Sequence, residues 1–548
     1  MLKYFFFRHA SSLSERPSRC KRAFMRQRRA VPSVSRLAPV ICAWLRNDLR
    51  THDSGVLQRA AELAQKRELH TVPVYVFDPR QFRRTKRGAL KTGPFRALFL
   101  LQSVQVLRKR LRDLGSDLLV RVGHPEKILP ALLPEGSVLL TQEEVTSEEL
   151  KVDTALRSSL GDRVDWEYIW GSTLFHRADL PFRGDLHDAP DTFTTFKNKV
   201  EPEMAAKVNE VPESFRGERK TQSEMKVRPL LPDLEKHALP FAPDLEDTHP
   251  DLSWNIIPYA DDIPEPQVPD EAALQFQGGE DEGLKRLQYY LFDTDLVATY
   301  FERRNKMLGG DYSTKLAPWL SLGCVSPRKV FEQIREYERT RAASKSTYWV
   351  IFELMWRDFY RFFAAKHGDR IFQLGGVRGE PKKWTSDDET FKLWTQGRTG
   401  YPLIDANMRE LKATGFMSNR GRQNVASFLV NDMRVDWRLG ASHFEELLVD
   451  YDVASNWGNW VALAGLVGGR LNRFNVVAQG KVYDGNGAYV RHWLPELRSV
   501  PVKFIQQPWL MSAHERQDYN ATEYPAPCVD PANFKDKYRS DGKRIKSR

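Results

Sequence analysis

The sequence predicts a parallel α/β domain followed by an all-helical domain. Three observations carry this. Short apolar runs alternate with helical patterns from Val40 to about residue 170, the pattern of strands covered by helices on both faces of a sheet. Residues 283–497 are instead rich in aromatic side chains at helical spacing. Between them, residues 241–282 hold twelve acids, six prolines and no Lys or Arg, too little apolar surface for a core of their own.

Each element follows in order. Apolar runs place strands at 40–45, 71–77, 118–122, 137–141 and 166–170. Helical patterns fill the gaps at 55–66, 93–114, near 125–133 and from about 148. The first strand-to-helix turn has no GxGxxG, so any dinucleotide is expected elsewhere. The second half reads as helices over 283–300, 327–342, 347–367, 403–413, 420–431 and 441–448. The expected division is a leader (1–39), an α/β domain (40–175), a connector (176–282), a helical domain (283–500) and a tail (501–548).

Composition narrows the class. The chain has 548 residues and a formal charge of +11. Its four cysteines show no CxxC spacing, which argues against a disulfide framework or structural zinc. No apolar run approaches the ~18 residues of a membrane span. Residues 1–39 hold ten Lys/Arg and one acid, a transit-peptide composition. An organelle is expected, the mitochondrion before the cytoplasm or nucleus; a basic arm is the plain alternative. Residues 534–548 add seven Lys/Arg against two Asp, so the body between is slightly acidic. Net charge is therefore no argument for nucleic-acid binding.

The chemistry-bearing residues gather in the helical half. Glu353, Trp356, Arg357 and Tyr360 fall at i, i+3, i+4 and i+7, on one helical face. They suit a flat aromatic ligand with phosphates; an Arg–Glu pair among core aromatics is the plain alternative. Asp452, Asn456 and Trp460 share another face, near Asp450, and Asn419–Gln423 open a helix. Inward carboxylates and amides are costly unless they bind something, and a flavin would satisfy them. Asp311–Leu316 offers hydroxyls and backbone N–H groups at a helix start, which cradle phosphates. No HExxH or GxSxG is present.

Several long motifs then resemble the cryptochrome/photolyase family, and its DASH branch in particular. Trp44–Arg50 with His52 and Asp53 resembles the family's first strand and turn. Phe77–Arg80, Lys91–Arg96, Ser346–Trp349 and Trp493–Leu497 are similar to the DASH branch, and Thr399–Pro402 with Asp405 and Arg409 to the family at large. The resemblance implies a Rossmann-like α/β domain followed by an all-α FAD-binding domain. It matches Tyr300, Ser313, Thr314, Lys315 and Leu316 to the phosphate side of FAD. Glu353 and Arg357 match contacts from the central helix, and Asn419, Asp450 and Asp452 residues around flavin and adenosine. Arg422 would pair with Asp450 beneath the ring, and Asn456 would face flavin N5. Trp460, Trp437 and Trp384 match an electron relay running outward, with Trp394 a competitor for the outer place. Glu144 matches the residue that holds 5,10-methenyltetrahydrofolate.

The implied activity is blue-light-driven electron transfer from reduced FAD to cyclobutane pyrimidine dimers, mainly in single-stranded DNA. RNA or looped duplex are further candidate partners. Glu353, Trp356 and Gln423 would line the lesion pocket. The alternative is a signalling photoreceptor that binds nucleic acid without significant repair. No membrane contact and a monomer are expected. Two departures stand out: Ala462 replaces the family's second aromatic wall of that pocket, and Ala317 a Ser near the phosphates.

Overall fold

The computed structural model describes residues 38–85, 88–201, 227–245, 252–380, 382–468 and 473–534. Nearly all of the expected leader and the basic end after Phe534 lie outside the described residues.

Five parallel strands form one sheet: β1 (Val40–Leu45), β2 (His70–Phe77), β3 (Leu119–Val122), β4 (Val138–Gln142) and β5 (Asp165–Ile169). Their order is β3-β2-β1-β4-β5. Ile41 pairs with Thr71 on one side and Val138 on the other. The central strands are buried throughout because helices cover both faces. Among these helices are α1 (Gly55–Arg67), α2 (Pro94–Asp113) and α3 (Ser147–Leu160). The strand order reverses between β1 and β4. In such sheets the crevice beyond the strands' C-terminal ends at this reversal is where ligands bind.

Among its described residues the connector includes an α-helix of two turns, α4 (Phe193–Val200). Farther on it reaches the sheet, where Thr71 N donates to the Pro240 carbonyl at 2.6 Å. The helical half begins with α5 (Glu280–Gln288). A single helix over 283–300 was expected, but the chain breaks. A π turn follows α5, Thr294 Oγ1 takes the Tyr289 carbonyl at 2.6 Å, and Asp295 turns left-handed at φ 56°.

The remaining framework is α6 (Pro327–Thr340), α7 (Lys345–His367), α8 (Pro402–Thr414), α9 (Asn419–Ser427), α10 (Trp437–Leu447) and α11 (Val453–Leu463). The central helix α7 starts at a capping box in which Ser344 and Thr347 satisfy each other's backbone N–H. Residues 501–534, expected as a tail, are packed. Tyr524 donates to buried Asp405 at 2.6 Å, Tyr401 donates to the Val529 carbonyl at 2.7 Å, and Phe534 packs on Tyr401 and Phe428.

Buried charges clamp the two halves together. Glu280, wholly buried, accepts from Thr51 N at 2.7 Å and pairs with His52 Nδ1 at 2.6 Å. Asp53 takes Arg328 at 2.6 Å. Asp358 in α7 accepts the backbone N–H groups of Leu174 and Phe175 at 3.0 and 2.8 Å. Burial pushes its carboxyl up to about 7. These contacts give both halves one fixed geometry, and two candidate sites depend on it.

Candidate functional site: a cofactor-binding helical framework and an interdomain cleft

The first site is assembled by α7, α9, α10 and α11. Ser418 caps α9 by accepting from Gly421 N at 3.0 Å, so Asn419 and Arg420 open the helix. Arg422, one turn on, reaches Asp450 at 2.7 Å and the Met417 carbonyl at 2.9 Å. The expected Arg422–Asp450 pair is therefore present. Asp450 is buried, and its Oδ1 has no partner among the described residues. Asp452 caps α11 through Ser455 N at 2.7 Å. Asn456 donates from Nδ2 to the Ala441 carbonyl at 3.0 Å, which fixes its amide against α10.

The 310–316 loop, expected on the phosphate side, is held from behind. Arg286 of α5 donates to the carbonyls of Gly310, Ser313 and Thr314 at 2.9, 3.2 and 3.0 Å. The loop backbone is pinned while the Ser313 and Thr314 side chains remain half-buried. Sequence reading missed Arg286, since its role depends on a loop far along the chain. Lys315 behaves differently from expectation. It sits at φ 59° and turns inward, with Nζ over the Tyr312 ring at 3.2 Å and the Phe416 ring at 4.4 Å. Burial holds its ammonium well below the usual lysine range, against the opposing pull of Glu410. Only its backbone remains for a phosphate. Leu316 and Tyr300 are buried, and Ala317 is exposed.

The orphaned atoms test the fit of a cofactor. Asp450 Oδ1 and the Tyr312 hydroxyl are buried with no hydrogen-bond partner among the described residues. Buried polar groups left unpaired are costly, and a ligand rich in hydroxyls and ring nitrogens fits this donor and acceptor set. FAD has both.

Glu353 forms no i, i+4 pair with Arg357. It pairs with Arg304 at 3.3 Å, and burial raises its carboxyl above the ordinary range. Arg357 instead donates to the carbonyls of Ser172 and, at 3.0 Å, Leu320. Trp356 is half-buried beside Tyr360, their rings nearly parallel at 5.7 Å. Gln423 accepts from Arg420 at 2.9 Å.

The three tryptophans expected to form a relay lie on or beside α10. A Cβ at Gly440 would lie 2.2 Å from Cη2 of Trp460, so glycine there lets that ring seat on the helix. Trp437 lies three residues before Gly440, on the same face. Thr385 pairs with Val435 and accepts from Asp436 N at 2.8 Å, which brings Trp384 beside the start of α10. Trp460 and Trp437 are buried, and Trp384 is half-exposed. Trp394 contacts Trp460 at 6.3 Å but is wholly buried, a poor outer member.

The second site is a cavity of about 550 Å³ between the two halves. Asn47 lies just beyond β1, and Gln142 and Glu144 lie at and beyond the end of β4. The cavity thus opens at the reversal of strand order. Glu144 is buried and pairs with Arg361 of α7 at 3.1 Å. Asn47 Nδ2 and Gln142 Nε2 approach its other oxygen at 3.4 Å. Glu149 stands nearby, pushed up to about 7 by burial and by the Glu144 charge. Arg357, Asp452 and Trp457 line the cavity too. Two residues matched to the FAD site therefore also face the cleft.

Comparison with known proteins agrees with this architecture. Residues 41–214 match the DNA photolyase family, and residues 349–543 match the FAD binding domain of DNA photolyase. The chain carries that FAD-binding domain, although Tyr300 and the 313–316 loop precede the matched span. It is 48% identical to a cryptochrome DASH, chloroplastic/mitochondrial, of Ostreococcus tauri, over 88% of this chain and 89% of that one. It is 46% identical to the cryptochrome DASH of Danio rerio, over 89% and 90%. A crystal structure of a Synechocystis cryptochrome covers 91% of this chain and 98% of its own, at 42% identity and a TM-score of 0.81. A class III photolyase of Agrobacterium tumefaciens follows at 26% identity and a TM-score of 0.72, covering 91% and 96%. With identity of this order along most of its length and the fold shared across both halves, the chain belongs to the cryptochrome DASH family.

Proposed function

We propose that this protein is a light-driven lyase for cyclobutane pyrimidine dimers in single-stranded DNA. The observation that carries the reading is Glu353 beside Trp356 on α7, the helix that also frames the FAD-binding site. Bound, reduced FAD supplies the photo-excited electron that opens the cyclobutane ring and is then recovered. The protein's part is to bind, orient and exclude water. Trp356 offers an aromatic surface for a base, a contact type worth roughly 1–3 kcal/mol. The raised carboxyl of Glu353 stays protonated longer than an ordinary one and can donate to a pyrimidine carbonyl. Gln423, held by Arg420, adds a polar contact at the rim. A dimer in a single strand avoids most of the few kcal/mol that extrusion from a duplex costs.

Other roles follow. Asn456, its amide fixed by the Ala441 carbonyl, would face flavin N5. Trp460, Trp437 and Trp384 pass electrons inward from the surface to restore the reduced cofactor. Glu144 in the cleft holds a folate antenna, with Asn47 and Gln142 beside it. The protein works as a monomer, and the basic leader composition supports an organelle as its location.

The test is blue-light repair of dimer-bearing oligonucleotides by FAD-loaded, reduced protein. Repair of the single strand well above the duplex is expected. No repair of either would overturn the lyase reading. It would leave the photoreceptor reading, which the small side chain of Ala462 favours.

A further inference from the structure

Trp356 does not stand alone. Phe193, from α4 in the connector, lies against it with ring centroids 3.7 Å apart and planes 11° apart. Phe193 is itself buried, with its edge set against Phe352 at 5.1 Å and Phe359 at 5.9 Å. The rest of α4 is registered along α7. Phe196 packs on Phe359 and Phe362, and Tyr348 donates to Glu201 at 3.1 Å. On the other side, Lys366 donates to Asp191 at 2.7 Å. Residues 191–201 of the connector are therefore held against α7 and pinned at both ends. Phe193 covers one face of Trp356 and Tyr360 stands nearly parallel to it at 5.7 Å, while the residue as a whole stays half-exposed.

We propose that Phe193 is a positioning residue for nucleobase recognition, backing Trp356 so that its exposed part is held ready for a pyrimidine. This rests on the lesion-pocket reading of Trp356 above. Indole on a surface helix samples several rotamers, and each must be given up when a base stacks. A ring already stacked on its far face loses less. The position matters more here because Ala462 leaves no second aromatic wall to trap the base.

The experiment measures binding of FAD-loaded protein to a thymine-dimer single strand and to the same strand undamaged. The variants are Phe193→Ala, Phe193→Tyr and Trp356→Ala. Phe193→Ala should weaken dimer binding by roughly three- to tenfold, with undamaged binding and flavin content unchanged. Phe193→Tyr, which keeps the stacked ring, should restore it. Phe193→Ala that binds the dimer as wild type while Trp356→Ala loses it would overturn the inference alone. Loss of dimer and undamaged binding together would mark Phe193 as merely structural and also overturn it. Trp356→Ala that binds as wild type would overturn the lesion-pocket reading and this inference with it.

Discussion

The interdomain cleft and the pocket around Trp356 share α7 yet are built on opposite principles. The cleft is a lattice of charges and amides. Glu144 meets Arg361, Asn47 and Gln142, drawn from β1, β4 and α7. The pocket is built of rings, Trp356 stacked on Phe193 with Tyr360 beside it, and the Glu353 carboxyl, paired with Arg304, stands at its edge. Polar lattices fix a geometry through many directional contacts, and removing one member strands the others. Ring stacks are additive and tolerant, so a missing wall weakens binding without collapsing the site. The two sites should therefore fail differently.

The largest effect is expected at the cleft. Glu144→Ala deprives buried Arg361 of its ion-pair partner, and breaking a buried pair costs about 3–5 kcal/mol. Purified Glu144→Ala should lose any near-ultraviolet folate band and melt at lower temperature, while its flavin absorption persists. A folate band of wild-type size would show that the cleft holds no antenna through this residue.

Much of this organisation was legible beforehand. The strands stood out as short apolar runs between helical patterns, β1 and β4 buried throughout, and the structure places all five within a residue of expectation. The Arg422–Asp450 pair was legible through the family pattern. What escaped depended on distant chain segments. Arg286 reads as an ordinary helix residue until the 310–314 loop folds onto it. Phe193 was hidden inside a connector judged by its acids and prolines, which swamp one eight-residue helix. Lys315 was matched to a phosphate contact, but a left-handed backbone at a lysine is not readable from composition, and it turns the side chain inward. The helix over 283–300 fails because Thr294 and Asp295 prefer local hydrogen bonds and positive φ.

A smaller effect is expected at the pocket. Ala462 lies one turn beyond Gly458, where a Cβ would come within 2.3 Å of the Tyr360 ring. Ala462→Tyr adds a ring to α11 beside this close approach. One stacking platform is worth roughly 1–3 kcal/mol, so dimer affinity should rise by about tenfold, read by titration of a labelled single strand. Unchanged affinity would place position 462 outside the pocket.

The smallest effect is a pH dependence that only the pocket should show. Burial raises the Glu353 carboxyl, with Arg304 opposing in part. Below its raised pKa the group is neutral and can donate a hydrogen bond to a pyrimidine carbonyl. As pH rises through that value it loses the proton, the donor vanishes and a negative charge faces the DNA backbone. Dimer affinity should therefore fall severalfold with rising pH, beginning above the ordinary carboxylate range. Glu353→Gln keeps a neutral donor at every pH and should flatten the profile near its low-pH level. A wild-type slope that survives Glu353→Gln would assign the titration to another group. Glu149, the cleft carboxyl pushed up to about 7, supplies the control, since its titration should follow folate content and leave DNA affinity alone.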